Sequence, residues 1–199
     1  MTVTLFLVRH VPHELQNKVQ VGRREGVKLA ADAPERLARL TERFAREDLA
    51  AVYASPVFRA QETARAVAAP AGLDVQTREG LHELDAGEWT GRAFEAFGAD
   101  PDWETWNRRR GLARIPGGES MLEVQLRMAG VLDEMRDAHA GQQVALVSHG
   151  DPIKTAVLHL LGLSLDAYDR IEIEPGSVTT AVFGAWGAKL IRLNEAVYP

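Results

Sequence analysis

The chain of 199 residues contains no cysteine. That absence removes disulfides, thiolate nucleophiles and cysteine-ligated metal centres from consideration. Lysine is scarce, occurring only at Lys18, Lys28, Lys154 and Lys189, so the basic character rests on arginine. There is no excess of positive charge: Asp and Glu number 28 against 23 Lys and Arg, a formal net charge of -5. Bulk electrostatics therefore give no reason to expect nucleic acid or an anionic membrane as a partner. No apolar stretch approaches the roughly 18 to 20 residues that span a bilayer. The opening MTVTLFLVRH has too short an apolar run for a secretory signal and lacks its basic start. A cytoplasmic location is expected. Repeats, low-complexity tracts and linkers are absent too, and the length makes one domain over 1–199 the default.

What remains is an ordinary globular composition, 46% hydrophobic and 26% charged. Strand-like and helix-like segments alternate along it. Val3 to Val8 is an apolar run broken only by Thr4 and reads as a buried strand; residues 11 to 33 lack periodicity and read as a loop. Leu37, Leu40 and Phe44 give residues 34–46 a helical spacing. Residues 50–54, AAVYA, form a second strand, and Ser55-Pro56 reads as a cap and first-turn proline opening a helix to about Pro70. Residues 75–78 are a weak strand. Residues 121–138 read as a long amphipathic helix with Leu122, Leu126, Ala129 and Leu132 on its apolar face. QVALVSHGDP, residues 143–152, is a strand ending in a histidine, after which Asp151-Pro152 repeats the cap-proline signal and opens a helix to about Leu161. VTTAVFGAWGAKLIRL reads as a hairpin turning near Trp186-Gly187. The alternation predicts an α/β fold, a three-layer αβα sandwich around a central, largely parallel sheet.

In such sheets ligands bind beyond the carboxyl ends of the strands. Three predicted strand ends carry polar groups of one kind: Arg9-His10, then Ser55 with Arg59 in the following helical turn, then Ser148-His149-Gly150 at another helix start. Arginine forks and helix N-termini both favour phosphate oxygens. Arg59 is poorly placed for the helix dipole, which disfavours a cation in the first turn. A composite phosphate site follows.

These pieces, in order, resemble the histidine phosphatase superfamily, also called phosphoglycerate mutase-like. LVRH (7–10) resembles its Arg-His-Gly signature. ASPVFRAQETA (54–64), LHELDAGEWTG (81–91), PGGES (116–120) and LVSHG (146–150) resemble its other segments. The resemblance implies that His10 is the nucleophile, forming a phosphohistidine, with its second ring nitrogen donating to a fixed acceptor. Arg9, Arg59 and His149 are implied as the phosphate clamp, and Glu83 as general acid and then base. Glu83 must start protonated, so an upward-shifted pKa is expected from partial burial and the bound phosphate. No cofactor and no metal are implied.

The sequence departs from the family pattern at Val11, where the family has glycine, and at the following Pro12 and His13. Where an asparagine commonly follows stands Gln16, with Asn17 one residue beyond, so either residue is a candidate for its role. Arg23 either reaches phosphate or is solvated. His13 either lines the pocket mouth or is a loop histidine. His10, His13, Glu83, His149 and Asp151 suggest a metallophosphoesterase, against which the arginines speak. Residues 92–118 occupy the place of a lid. There Trp103 and Trp106 either stack on substrate or belong to the core, and Arg108, Arg109, Arg110 and Arg114 either meet anionic charge or are solvated. GEWTG, the tryptophan pair and PGGES resemble the small phosphatase branch. The expected function is thus a metal-independent phosphomonoesterase acting on a small phosphorylated metabolite. A phosphomutase and a non-catalytic phospho-ligand binder are the alternatives. The C-terminal hairpin or an edge strand offers a pairing surface for a homodimer.

Overall fold

The computed structural model describes residues 1–197. One mixed sheet organises them. Its strands are β1 (Val3–Arg9), β2 (Leu49–Ala54), β3 (Val75–Thr77), β4 (Gln143–Ser148), β5 (Val178–Gly184) and β6 (Gly187–Glu195), in the spatial order β3-β2-β4-β1-β5-β6. β3, β2, β4 and β1 are parallel; β5 pairs antiparallel with β1, and β6 antiparallel with β5.

The inner strands are mostly apolar because both faces are covered. Val3, Leu5 and Leu7 of β1 face one layer, made by α4 (Met121–Ala138) and α5 (Gly150–Leu160). Phe6 and Val8 face the other, made by α1 (Ala33–Phe44) and α2 (Phe58–Ala68). The short α3 (Pro101–Arg108) lies among the aromatics of residues 89–106. The three-layer α/β arrangement is therefore as the alternation of segments predicts.

Three local readings need correction. α2 begins at Phe58 with extended Val57 at its N-cap, not at Pro56 with Ser55 as cap. The Ser55 hydroxyl is instead turned to His149 Nε2 at 2.8 Å. α5 begins two residues before Pro152, with His149 at the N-cap; the proline falls in the first turn, where its missing N–H has no helical partner to lose. α4 has the expected ends, Met121 and Ala138, but of the expected apolar face only Leu132 is fully buried. Met121, Val124, Met128, Val131, Leu132 and Met135 are buried, whereas Leu122 and Leu126 are 46% and 63% exposed.

The start of α4 also anchors the loop of residues 85–88. Ser120 and Glu123 form a reciprocal capping box. Just before it, residues 115–119 lie backbone against backbone on residues 85–88: Glu88 N–H donates to Pro116 O (2.9 Å) and Glu119 N–H to Asp85 O (3.0 Å). A Cβ on Gly118 would sit 2.4 Å from Asp85 O, and one on Gly87 2.3 Å from Pro116 O. Only glycine permits this approach. The GEW and PGGES segments are thus two halves of one joint beside Glu83.

Candidate active site

Register brings the two histidines together. β1 and β4 pair with Arg9 opposite Ser148, and His10 N–H donates to Ser148 O at 3.0 Å. The next residue on each strand is a histidine, and the ring centroids of His10 and His149 lie 5.0 Å apart. The third strand end joins through Ser55 N–H to Val147 O at 3.0 Å.

His10 has a defined tautomer. Its Nδ1 lies 2.6 Å from Val11 O, which can only accept, so Nδ1 carries the proton and Nε2 presents a lone pair. Val11 fits without strain. Its φ is not in the left-handed region, its N–H donates to Thr63 Oγ1 (3.1 Å), and its side chain is fully buried in the α1/α2 layer. Thr63 Oγ1 donates onward to Arg59 O at 2.8 Å. Glycine is therefore not required at position 11, because a side chain there points into the core.

Arg59 is 1% exposed and contacts both histidines. Its Nε donates to His10 Nε2 (3.1 Å), and its Nη2 donates to Gly22 O (2.8 Å) and meets His149 Nδ1 at 3.3 Å. Its buried Nη1 has no protein acceptor, and neither has Nε of Arg9, whose Nη1 donates to Ile173 O. Leaving such a donor unmet costs roughly 1–3 kcal/mol, more when charged. Two of them at one cleft point to an anion as the missing acceptor. Gly150 leaves room for the guanidinium: a Cβ there would stand 3.1 Å from Arg9 Cζ. His149 accepts from Arg59 at Nδ1 and so donates from Nε2 to Ser55 Oγ. Burial, then the Arg59 charge, hold both His10 and His149 well below the usual histidine range, so both are neutral.

Glu83 lies at the same centre, with Oε2 3.7 Å from His149 Nδ1 and Oε1 accepting from Leu84 N–H (2.8 Å). Burial raises its pKa to about 7, helped by the Asp151 charge and opposed by Arg59. The direction and the leading cause, burial, are as expected, and the Asp151 carboxylate adds a second cause. Two arginines hold its backbone: Arg23 Nε (2.8 Å) and Arg127 Nη2 (3.2 Å) both donate to Glu83 O, and both pair with Glu119 of the joint. Arg127 also donates to the carbonyls of Gly80 and His82.

Arg9, His10, Arg59 and Glu83 line a cleft of about 240 Å³, whereas His149, fully buried behind them, is not among its lining residues. His13 lines it, buried, with its ring 5.8 Å from His10; burial and the two arginines lower its pKa to about 4. Gln16 and Asn17 both line it, Asn17 in the left-handed region at φ 59°. Gly150 lines it as well. Arg23 does not: it is spent on Asp85, Glu119 and the Glu83 carbonyl. The tryptophans do not either. Trp106 is 2% exposed, and Trp103 stacks on Phe97 with centroids 4.2 Å apart, so both belong to the core, and within residues 92–118 Phe94 reaches the cleft. Arg108 pairs with Glu104, Arg114 with Glu123, and Arg110 lies over Trp106 and Tyr168. Sequence reasoning missed Lys154, Tyr168 and Glu172 as lining residues, and it had Asp151 only as a helix cap or a metal donor. No local signal marks them, since α5 and the 165–173 loop meet only in the folded chain.

Donor atoms of His10, Glu83 and His149 lie within 4.8 Å of one another, close enough to share a cation. Arg59, however, donates to the ring nitrogens of both histidines. A metal ion would have to displace a buried guanidinium that is itself positive, so the donor set does not fit a cation.

Comparison with known proteins agrees with this geometry. The family profile of the histidine phosphatase superfamily (branch 1) matches residues 5–196. Phosphoserine phosphatase 1 of Hydrogenobacter thermophilus is 33% identical over 172 residues, covering 83% of this chain and 80% of that one. A probable phosphoglycerate mutase GpmB of Yersinia enterocolitica is 31% identical over 179 residues, 88% and 82% of the two chains. The solved structure of Bacillus stearothermophilus YhfR superposes with a TM-score of 0.91 at 25% identity, covering 98% of each chain. The chain belongs to the histidine phosphatase superfamily and is a phosphatase of that fold.

Proposed function

We propose that this protein is a metal-independent phosphomonoesterase that works through a phosphohistidine on His10 and acts on a small phosphorylated metabolite. The observation that carries the proposal is the 2.6 Å contact of His10 Nδ1 with Val11 O, which leaves Nε2 unprotonated at the cleft. Nε2 attacks phosphorus as the P–O ester bond breaks, and Glu83 gives its proton to the leaving oxygen. Water then attacks the phosphohistidine, losing a proton to Glu83; the N–P bond breaks and inorganic phosphate departs. Arg9 and Arg59 offer their unmet donors to the phosphoryl oxygens, the charge-stabilising work that phosphoryl transfer mainly requires. A pKa of about 7 keeps Glu83 substantially protonated near neutrality for the first step and basic enough for the second.

Rapid quenching after mixing with a radiophosphate-labelled ester tests the proposal. We expect an acid-labile, base-stable label on the protein that disappears in His10→Ala. Label that persists in that variant refutes the nucleophile, and activity lost on exhaustive EDTA treatment refutes metal independence. A phosphomutase reading is favoured by one observation, the similarity to a protein named as a probable phosphoglycerate mutase. Interconversion of phosphoglycerates with a bisphosphate primer, alongside negligible hydrolysis, would establish it instead.

A further inference from the structure

The far wall of the cleft is made by the second turn of α5 and by residues 165–172. Its cation is Lys154, one helical turn beyond Gly150. The lysine side chain is only 10% exposed. Its Nζ lies 4.4 Å from the centroid of the Tyr168 ring, whose opposite polar end is committed: the Tyr168 hydroxyl donates to Asp151 Oδ1. Arg110 Cζ lies 4.0 Å from the same ring, adding a second positive charge behind the wall. The carboxylate nearest to Lys154 is Glu172, at 3.7 Å, beyond hydrogen-bond length and on a side chain that is 69% exposed. Such a pair is strongly screened by water. Among the described residues, then, Lys154 is a largely buried side chain whose ammonium faces the reaction cleft and hydrogen-bonds to no acceptor.

We propose that Lys154 binds a carboxylate carried by the substrate itself, so that the favoured esters are small phosphorylated carboxylic acids. This rests on the phosphomonoesterase reading above. Three features narrow the ligand. The cleft of about 240 Å³ lies below the roughly 300 Å³ at which pockets for drug-sized ligands begin, so the group attached to the phosphate is small. The phosphate end already has its own donors in Arg9 and Arg59. And a single ammonium, flanked by Asp151 and Glu172, matches one negative charge better than a second dianionic phosphate.

The test is steady-state kinetics on two matched pairs of esters, in which one member has the carboxylate and the other lacks it. O-phosphoserine is compared with O-phosphoethanolamine, and 3-phosphoglycerate with glycerol 3-phosphate. The readout is the ratio of kcat/KM within each pair. Wild type is expected to favour the carboxylate-bearing member of both pairs. Lys154→Met is expected to lower each ratio by about tenfold or more, the effect of one lost charge-assisted hydrogen bond. Lys154→Arg, which keeps the charge, is expected to preserve more of the ratio than Lys154→Met. Equal loss on both members of a pair would make Lys154 merely structural and overturn the proposal. A wild-type ratio near one overturns it without recourse to any variant. Failure of the wild type to hydrolyse any phosphate ester sinks the phosphomonoesterase reading and this proposal together, an outcome distinct from a flat ratio on active enzyme.

Discussion

The protonation of Glu83 has a consequence for stability that can be measured separately from catalysis. Its pKa stands at about 7 against an ordinary 4.5, chiefly through burial. Below pH 4.5 the carboxyl is protonated in folded and unfolded chains alike and contributes no pH dependence. Between 4.5 and 7 the folded state binds more protons than the unfolded state, so stability falls as pH rises. Above 7 the loss is complete. A tenfold difference in proton affinity corresponds to about 1.4 kcal/mol, so the full loss is roughly 3 kcal/mol. His10 and His149 act oppositely. Their pKa values are depressed, so stability falls as pH drops below 6.5. The two effects overlap in wild type, and Glu83→Gln separates them. Glutamine keeps the carbonyl that accepts from Leu84 N–H but never ionises. In urea unfolding from pH 4.5 to 8.5, the variant and wild type should agree at the acid end. At the alkaline end the variant should be the more stable, by roughly 3 kcal/mol at most. The same variant should lose about 10²- to 10⁴-fold in kcat on alkyl phosphates, the usual contribution of general acid catalysis. A stability difference that does not change with pH would refute the assignment of a buried, upshifted carboxyl at this site.

Two further predictions concern packing. Val11→Gly removes a fully buried side chain from the α1/α2 layer and should cost about 2–4 kcal/mol in chemical denaturation, while the folded fraction keeps its phosphatase activity; a drop in activity per folded molecule would mean that Val11 shapes the cleft after all. Met128→Ala should cost about 2–5 kcal/mol and Leu126→Ala under about 1 kcal/mol, since only the former faces the core. The reverse order in thermal or urea melts would restore the stripe of leucines as the buried face.

Much of the architecture is legible in the chain because strands buried on both faces are mostly apolar runs, and β1 and β4 are such runs. The clustering of Arg9, His10, Arg59 and His149 is legible for a related reason, since parallel strand ends converge. The face of α4 was not legible. Its sequence carries two apolar stripes that meet at Leu132, and Leu122 and Leu126 made the exposed one more conspicuous than the methionines of the buried one. The start of α2 was misread because the hydroxyl of Ser55 has a better partner in a histidine 94 residues away. Lys154 stayed hidden because one lysine in a helix is normally solvated, and only the fold places residues 165–172 beside it.

The loop that follows β1 contains Pro12, and this gives the proposed nucleophile an unusual guarantee. The carbonyl facing His10 Nδ1 belongs to the amide linking Val11 to Pro12, and a proline amide has no N–H. Most peptide groups have two sides, and a rotation about the chain exchanges an acceptor for a donor. This one is chemically one-sided: however it turns, it has no proton to offer His10. The imidazole therefore never meets a backbone donor there that would reward moving its own proton to Nε2. A covalent constraint two residues downstream thus favours the proton of His10 on Nδ1, leaving Nε2 as the acceptor that Arg59 now meets.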